Sequence, residues 1–230
     1  MTKQDVLTLL EENQNPKGIA SWEKVGVPEW SSVGIGLTQL RKLAKKVGKD
    51  HELAQELWGS SVYEAKVIGL LIDPPKAITE AQAEAQVGEV SFWMLSHVFC
   101  SCDAPLAKSP IAKDMCLKWM ASDDTLRRRC GYLLLSELAK NKKDKSLDDA
   151  FFLPHVARIQ ADLQNEENFV RDAMNTSLFT MGQRSKALNE ASIAAAKAIG
   201  PVEVDYGANS CKPVDVIHHL TGDRIQKKFK

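Results

Sequence analysis

Apolar residues recur along most of this chain at three- and four-residue intervals, the spacing that lines one face of a helix. The clearest case is Asp123–Lys140, where Leu126, Cys130, Leu133, Leu134 and Leu138 share a face and Asp123 or Asp124 can cap the start. On that helix Arg127 and Arg129 fall on the flanks of the apolar face, and Arg128 points away from it. The same reading predicts helices over Gln4–Asn13, Leu37–Val47, Glu52–Trp58, Val62–Ile72, Thr79–Glu89 and Ser91–Cys100. It continues with Ile111–Met120, Leu147–Leu163 (Pro154 near its first turn), Asn168–Met181 (capped by Asn165 or Asn168), Ala187–Ile199 and Val214–Leu220. Residues 15–32 and 202–213 read as irregular, because Pro and Gly interrupt them. No alternating run is long enough for a convincing strand, so the class is all-α.

Three of these helices superpose. Tyr63-x3-Val67, Leu126-x3-Cys130 and Phe169-x3-Ala173 match, and the last two are 43 residues apart, within the HEAT/armadillo period of about 40–47. The first two are 63 apart, so the repeats are degenerate. The pattern predicts a HEAT-like, armadillo-type α-solenoid of stacked helical hairpins with a concave face. It reads as a single domain over residues 1–230, with 1–32 as an N-terminal cap and 200–230 as a C-terminal cap or tail. Lys66, Arg129 and Asp172 then occupy equivalent positions, a row suited to following a phosphate backbone.

Charge sharpens this. The 230 residues carry 30 Lys+Arg against 30 Asp+Glu, for a net of zero, which excludes a protein coated in positive charge. The charges are segregated, however. Arg41–Asp50 holds five cations and one anion, and Arg127–Lys145 holds seven cations and two anions. A neutral chain with basic stretches can carry a basic groove. Five cysteines without framework spacing fit a reducing compartment. The charged, helical start does not resemble a signal peptide, and no long apolar run is present. A cytoplasmic protein is expected.

The segments GLTQLRKLAKK (36–46), ELWGSSVYEAKVIGLLI (56–72), FWMLSHVFC (92–100), KWMASDDTLRRRCGY (118–132), NEENFVRDAMNTSLFTMGQRSKALNEA (165–191) and VEVDYGANSCKPVD (202–215) run in the order found in the DNA alkylation repair enzymes. The chain resembles that family, the AlkD-like HEAT-like repeat DNA glycosylases, over most of its length. The resemblance implies a C-shaped solenoid gripping duplex DNA, whose active members release purines alkylated at N3 or N7. It also implies two Trp and an Asp against the sugar and an Arg on the backbone. A carboxylate beside a developing sugar cation is sound electrostatics. Here the Arg falls on Arg129 and the first Trp on Trp93. The Asp position falls on Ser96 or His97, and the second Trp on Thr176. Neither Ser nor His supplies a negative charge, which argues against full glycosylase activity.

The remaining candidates are weighed by type. Lys66, Arg171, Arg184 and Lys186 join Arg129 as possible contacts to DNA, although Arg184 and Lys186 equally suit a helix C-terminus. Glu64 reads as a structural ion pair to a neighbouring repeat. Trp22, Trp30, Trp58 and Trp119 read as core. His97-x2-Cys100-x-Cys102 lacks a fourth ligand, so no metal and no cofactor is expected. The alternative to a DNA-binding repair protein is a non-catalytic solenoid scaffold that holds a protein or undamaged DNA.

Overall fold

The structure, a computed structural model, describes residues 1–25, 29–101, 104–207 and 211–229, without the side chains of Val25 and Trp93. The described residues form two compact units, Met1–Ile111 and Ala112–Lys230. The first holds α1 (Lys3–Glu12), α2 (Pro16–Val25), α3 (Leu37–Val47), α4 (His51–Trp58), α5 (Tyr63–Ile72), α6 (Glu80–Val87) and α7 (Trp93–Cys100), then a 3-10 turn, Pro105–Lys108. The second holds α8 (Ala112–Met120), α9 (Thr125–Lys140), α10 (Asp149–Asp162), α11 (Asn168–Met181), α12 (Lys186–Ile199), α13 (Val216–Thr221) and α14 (Asp223–Gln226). No strand occurs among the described residues. One isolated parallel bridge joins Ser31 to Val62.

Each unit is built on one central helix. In the first it is α5, all ten of whose residues are buried. It packs on α4, α3 and α7. In the second it is α9, which lies against α8 and α11 and buries Leu133, Leu134, Leu135 and Leu138. A fully buried Leu contributes about 1.5–3 kcal/mol, so a helix covered on two sides is the natural nucleus of a unit. Glycines set the approach distance. A Cβ at Gly131 on α9 would stand 2.5 Å from the Met120 amide nitrogen of α8, and one at Gly69 on α5 would stand 2.8 Å from the Ala54 carbonyl of α4. Between α9 and α11, Ser177 Oγ donates to the Tyr132 carbonyl at 2.5 Å, and the Ser136 and Thr180 hydroxyls meet at 2.9 Å.

Three local expectations change. Residues 15–32 are not wholly irregular, since α2 occupies Pro16–Val25. Pro16 takes the first helical position, where its missing N–H is no loss. Gly18 is a contact point instead of a breaker, because a Cβ there would collide with the Gly34 carbonyl, and Gly34 itself adopts φ +76°. The N-cap of α11 is Glu167, without a side-chain bond. The Asn168 amide instead donates to the Asp205 carbonyl at 2.6 Å and accepts from the Asp205 N–H at 2.8 Å. Pro154 lies inside α10, deeper than its first turn. The start of α9 resolves to Asp124, whose carboxylate accepts from the Arg127 N–H at 2.7 Å.

Candidate nucleic-acid interface

In the first unit the site grows from the start of α5. Glu64 is 1 % exposed, and its carboxylate accepts from Ser32 Oγ at 2.7 Å and from the Val33 and Ile35 N–H groups at 3.1 Å each. It is therefore no ion pair to a neighbouring repeat. It is an acceptor for an extended segment that has no helix of its own to satisfy its amides. The Ser31–Val62 bridge holds the same segment, with Ser31 N–H donating to the Ser61 carbonyl and Tyr63 N–H to the Ser31 carbonyl, both at 2.9 Å. This fixes Trp30, whose carbonyl accepts from Trp22 Nε1 at 3.2 Å.

The result is an aromatic cluster. Trp22 packs on Tyr63 at 4.6 Å between ring centres and edge-on to Phe92 at 5.3 Å, with Tyr63 and Phe92 6.0 Å apart. Trp58 and Trp119 are buried as core. Trp22, Trp30 and Phe92 are only half-buried. Beside the cluster, Lys66 stands at 5 % exposure. Its Nζ lies 4.6 Å from the Trp58 ring and 5.6 Å from the Trp30 ring, donates to the Trp58 carbonyl at 2.5 Å and reaches Glu89 at 3.9 Å. Burial lowers the Lys66 pKa, and Glu89 opposes that shift.

In the second unit, Arg129 is 3 % exposed, with its guanidinium carbon 4.8 Å from the Phe169 ring of α11. Phe169 meets Tyr206 at 6.4 Å, and the Tyr206 hydroxyl donates to Asp172 at 2.6 Å. Burial, then the bond to Asp172, pushes the Tyr206 phenol well above its usual range. Tyr206 belongs to a strap, residues 201–207, that follows α12 and is held across α11 by side chains. Gln164 Nε2 donates to the Ile199 and Pro201 carbonyls at 3.1 and 2.9 Å, and Arg171 Nη1 donates to the Glu203 carbonyl at 2.9 Å. The reading of 202–213 as irregular gave no hint of this strap, since its partners lie more than thirty residues earlier.

The other nominated residues separate. Arg171 also donates to the Glu166 carbonyl at 2.9 Å, and so serves the strap. Arg184 donates to the Ala139 and Asn141 carbonyls at 2.8 and 2.9 Å and to the Leu147 carbonyl, with its guanidinium carbon 5.0 Å from the Phe152 ring. It knits the loop between α9 and α10 to the end of α11. Arg128 does not point idly outward. It forms a bidentate pair with Glu166, its Nε and Nη2 each donating to a different carboxylate oxygen at 3.0 Å, and that bond holds its pKa high. Lys186 is exposed at the start of α12. On α7, Ser96 is fully buried and faces the core, whereas His97 is half-buried. Trp93 opens that helix with a side chain outside the described residues, as is Cys102 entirely. Thr176 is half-buried on α11.

Comparison with known proteins gives this geometry a family. The model of the family described as DNA alkylation repair enzyme matches residues 6–206. The chain is 31% identical over 217 residues to protein Lin0241 of Listeria innocua, covering 93% of both chains. It is 29% identical over 225 residues to Lmo0209 of Listeria monocytogenes, covering 96% of both. A solved structure described as a new family of proteins related to the HEAT-like repeat DNA glycosylases, with affinity for branched DNA structures, matches with a TM-score of 0.82. That match has 26% identity and covers 99% of this chain and 94% of the other. The α-solenoid class follows from the helices and from this neighbour. Matched along nearly its whole length, the chain belongs to the DNA alkylation repair enzyme family.

Proposed function

We propose that this protein binds DNA, and branched DNA in preference to linear duplex, with little or no glycosylase activity. The observation that carries the reading is the set of half-buried rings beside the caged cation Lys66: Trp22 edge-on to Phe92, and Trp30 5.6 Å from the Lys66 Nζ. A folded core has no need to leave indoles partly open. An unpaired or splayed base does use such rings, at about 1–3 kcal/mol per stacked base. The structural neighbour's affinity for branched DNA supports the same reading, since junctions offer unstacked bases that linear duplex does not. Lys66 and Arg129 are both nearly covered, and in this conformation they brace the rings more than they reach outward. In the first unit the half-open rings are accessible, and in the second Lys186 is exposed.

The chemistry argues for binding without excision. A departing alkylated purine leaves positive charge on the sugar, and a carboxylate is the group that stabilises it. Where the family places its Asp, this chain has Ser96, turned into the core, and His97. A neutral imidazole accepts a proton but supplies no negative charge.

The test measures binding to a three- or four-way junction and to linear duplex at about 50 mM salt, where phosphate contacts are strongest. It also measures base release from duplex carrying N3- or N7-alkylpurine. Junction binding at least about tenfold tighter than linear duplex, with no release above background, is expected. Equal or absent binding would refute the first part, and release at many turnovers the second. In the absence of DNA binding, a solenoid that holds another protein becomes the better reading.

A further inference from the structure

The strap of residues 201–207 is attached to the second unit by more than ordinary packing. Its exposure alternates. Val202, Val204 and Tyr206 are half-buried, and Pro201, Glu203 and Asp205 are exposed, the period of an extended chain with one face toward the protein. None of the inward side chains is fully buried. Hydrogen bonds hold the strap instead. Gln164 donates to the Pro201 carbonyl, Arg171 to the Glu203 carbonyl, and Asn168 donates to the Asp205 carbonyl and accepts from its N–H. Every second residue is thus grasped by a side chain from residues 164–171. These bonds lie at the surface, where water competes for the same groups. Shallow burial and solvent-exposed hydrogen bonds mark a segment that opens locally, at less cost than unfolding.

Glycines bound the strap. Gly200 and Gly207 adopt φ of +78° and +75°, and at neither does an atom of the described residues stand within 4 Å of where a Cβ would be. The backbone requires them, not crowding. Gly200 also ends α12, a usual place for such a residue, whereas Gly207 ends no helix. Beneath the strap, Phe169 meets the Tyr206 ring and Asp172 accepts from the Tyr206 hydroxyl. Arg129 lies against the same Phe169, and its charge acts on the Tyr206 phenol. A ring beside a cation suits an unstacked nucleotide, the base on the ring and the phosphate on the cation. The strap brings to this place a ring of its own and two acids, Glu203 and Asp205, with no Lys or Arg among its seven residues.

We propose that the strap is an internal stand-in for a nucleotide. It covers a second DNA-binding surface, Phe169 with Arg129, and is displaced when an unstacked nucleotide of a branched DNA lays its base on Phe169 and its phosphate on Arg129. This rests on the DNA-binding reading and adds to it a surface in the second unit that the closed strap holds at low affinity. The apparent affinity of such a surface is its intrinsic affinity reduced by the fraction of molecules with the strap open. While that fraction is small, anything that raises it tightens binding in proportion.

The test uses the full chain and Gly207→Ala, with melting curves to confirm that the variant folds. An L-residue at φ +75° disfavours the closed strap and leaves Phe169 and Arg129 in place. The cost of a left-handed residue corresponds to a shift of about fivefold to thirtyfold toward the open form. Two readouts should move by the same factor. Without DNA, hydrogen exchange of the Asp205 amide, which the strap's bond to Asn168 protects, should quicken. With DNA, a three-way junction carrying unpaired nucleotides should bind more tightly. Adding Phe169→Ala to Gly207→Ala should remove that gain. Unchanged exchange overturns the displaceable strap, whether or not the protein binds DNA. Faster exchange with unchanged junction binding overturns it as a cover for DNA, and a gain that survives Phe169→Ala overturns the ring as the platform. A wild type that binds no junction counts against the function proposed above. A Gly207→Ala variant that then binds one sustains the strap, and one that exchanges faster and still binds none overturns both.

Discussion

Lys66 and Arg129 hold matching places on the central helices of the two units, and each lies against aromatic rings, but the contacts around them differ. Lys66 is a point charge. It needs a discrete acceptor and finds the Trp58 carbonyl, with Glu89 beyond and two indole rings beside the ammonium itself. Arg129 is a plane, and its guanidinium carbon lies 4.8 Å from the centre of the Phe169 ring. The ring is held in turn by a strap from a later part of the chain. A lysine ammonium is a compact point charge, whereas a guanidinium is a planar fork that also stacks on aromatic faces. Both sites nonetheless depend on contacts across more than thirty residues, Trp30 to Lys66 in the first and Phe169 to Tyr206 in the second.

The largest effects should come from the glycines that bring each central helix to its neighbour. Gly131→Ala should cost about 3 kcal/mol and Gly69→Ala about 2, from overpacking, because the first meets a backbone amide at 2.5 Å and the second a carbonyl at 2.8 Å. Urea unfolding of both variants measures this, and an inverted order would show that α4 yields less readily than α8. Next, Lys66→Met should cost about 1–3 kcal/mol by leaving the buried Trp58 carbonyl without its donor. Arg129→Lys should cost about 1 kcal/mol, mostly lost stacking. If Arg129→Lys proves the worse of the two, the contrast between point and plane is wrong.

Alkaline titration separates the units further. Burial pushes the Tyr132 phenol up to about 12, and Tyr206 is shifted in the same direction. A phenol in the unfolded chain loses its proton near 10. Above that pH the unfolded state binds fewer protons than the folded one, so stability is complete below about pH 10 and falls as pH rises beyond it. Both tyrosines belong to the second unit. Its melting temperature should fall first, and Tyr206→Phe should flatten the slope while costing about 1 kcal/mol at neutral pH. The smallest effect is expected for Lys186→Ala. Stability should move by under about 0.5 kcal/mol, while the salt slope of DNA binding drops by about 0.9 if the side chain meets a phosphate.

Sequence periodicity located α3 and α11 to the residue, because each has a clean apolar face and a glycine beyond its end. It also picked out α9 as the clearest amphipathic helix. What it could not reach was set by distant partners. Pro16 and Gly18 read as breakers because the collision that requires Gly18 is with Gly34. Arg128 read as outward because Glu166 lies 38 residues away. Arg171 and Arg184 looked like free cations because the carbonyls that take their protons lie in loops with no pattern of their own. The aromatic cluster was hidden for the same reason: Trp22 and Phe92 are seventy residues apart and meet only through the packing around α5. Membership of the repair family was legible, since it rests on ordered segments and not on any one contact.

The strap also imposes an order in time. Asn168 and its partner Asp205 are 37 residues apart, so at about 5–20 residues per second of synthesis α11 emerges roughly 2–7 s before the residues that cover its Phe169. Through that interval Phe169 and Arg129 face solvent or whatever else is near. The nascent second unit thus exposes more of an aromatic–cation surface that Tyr206 of the strap later meets and partly covers.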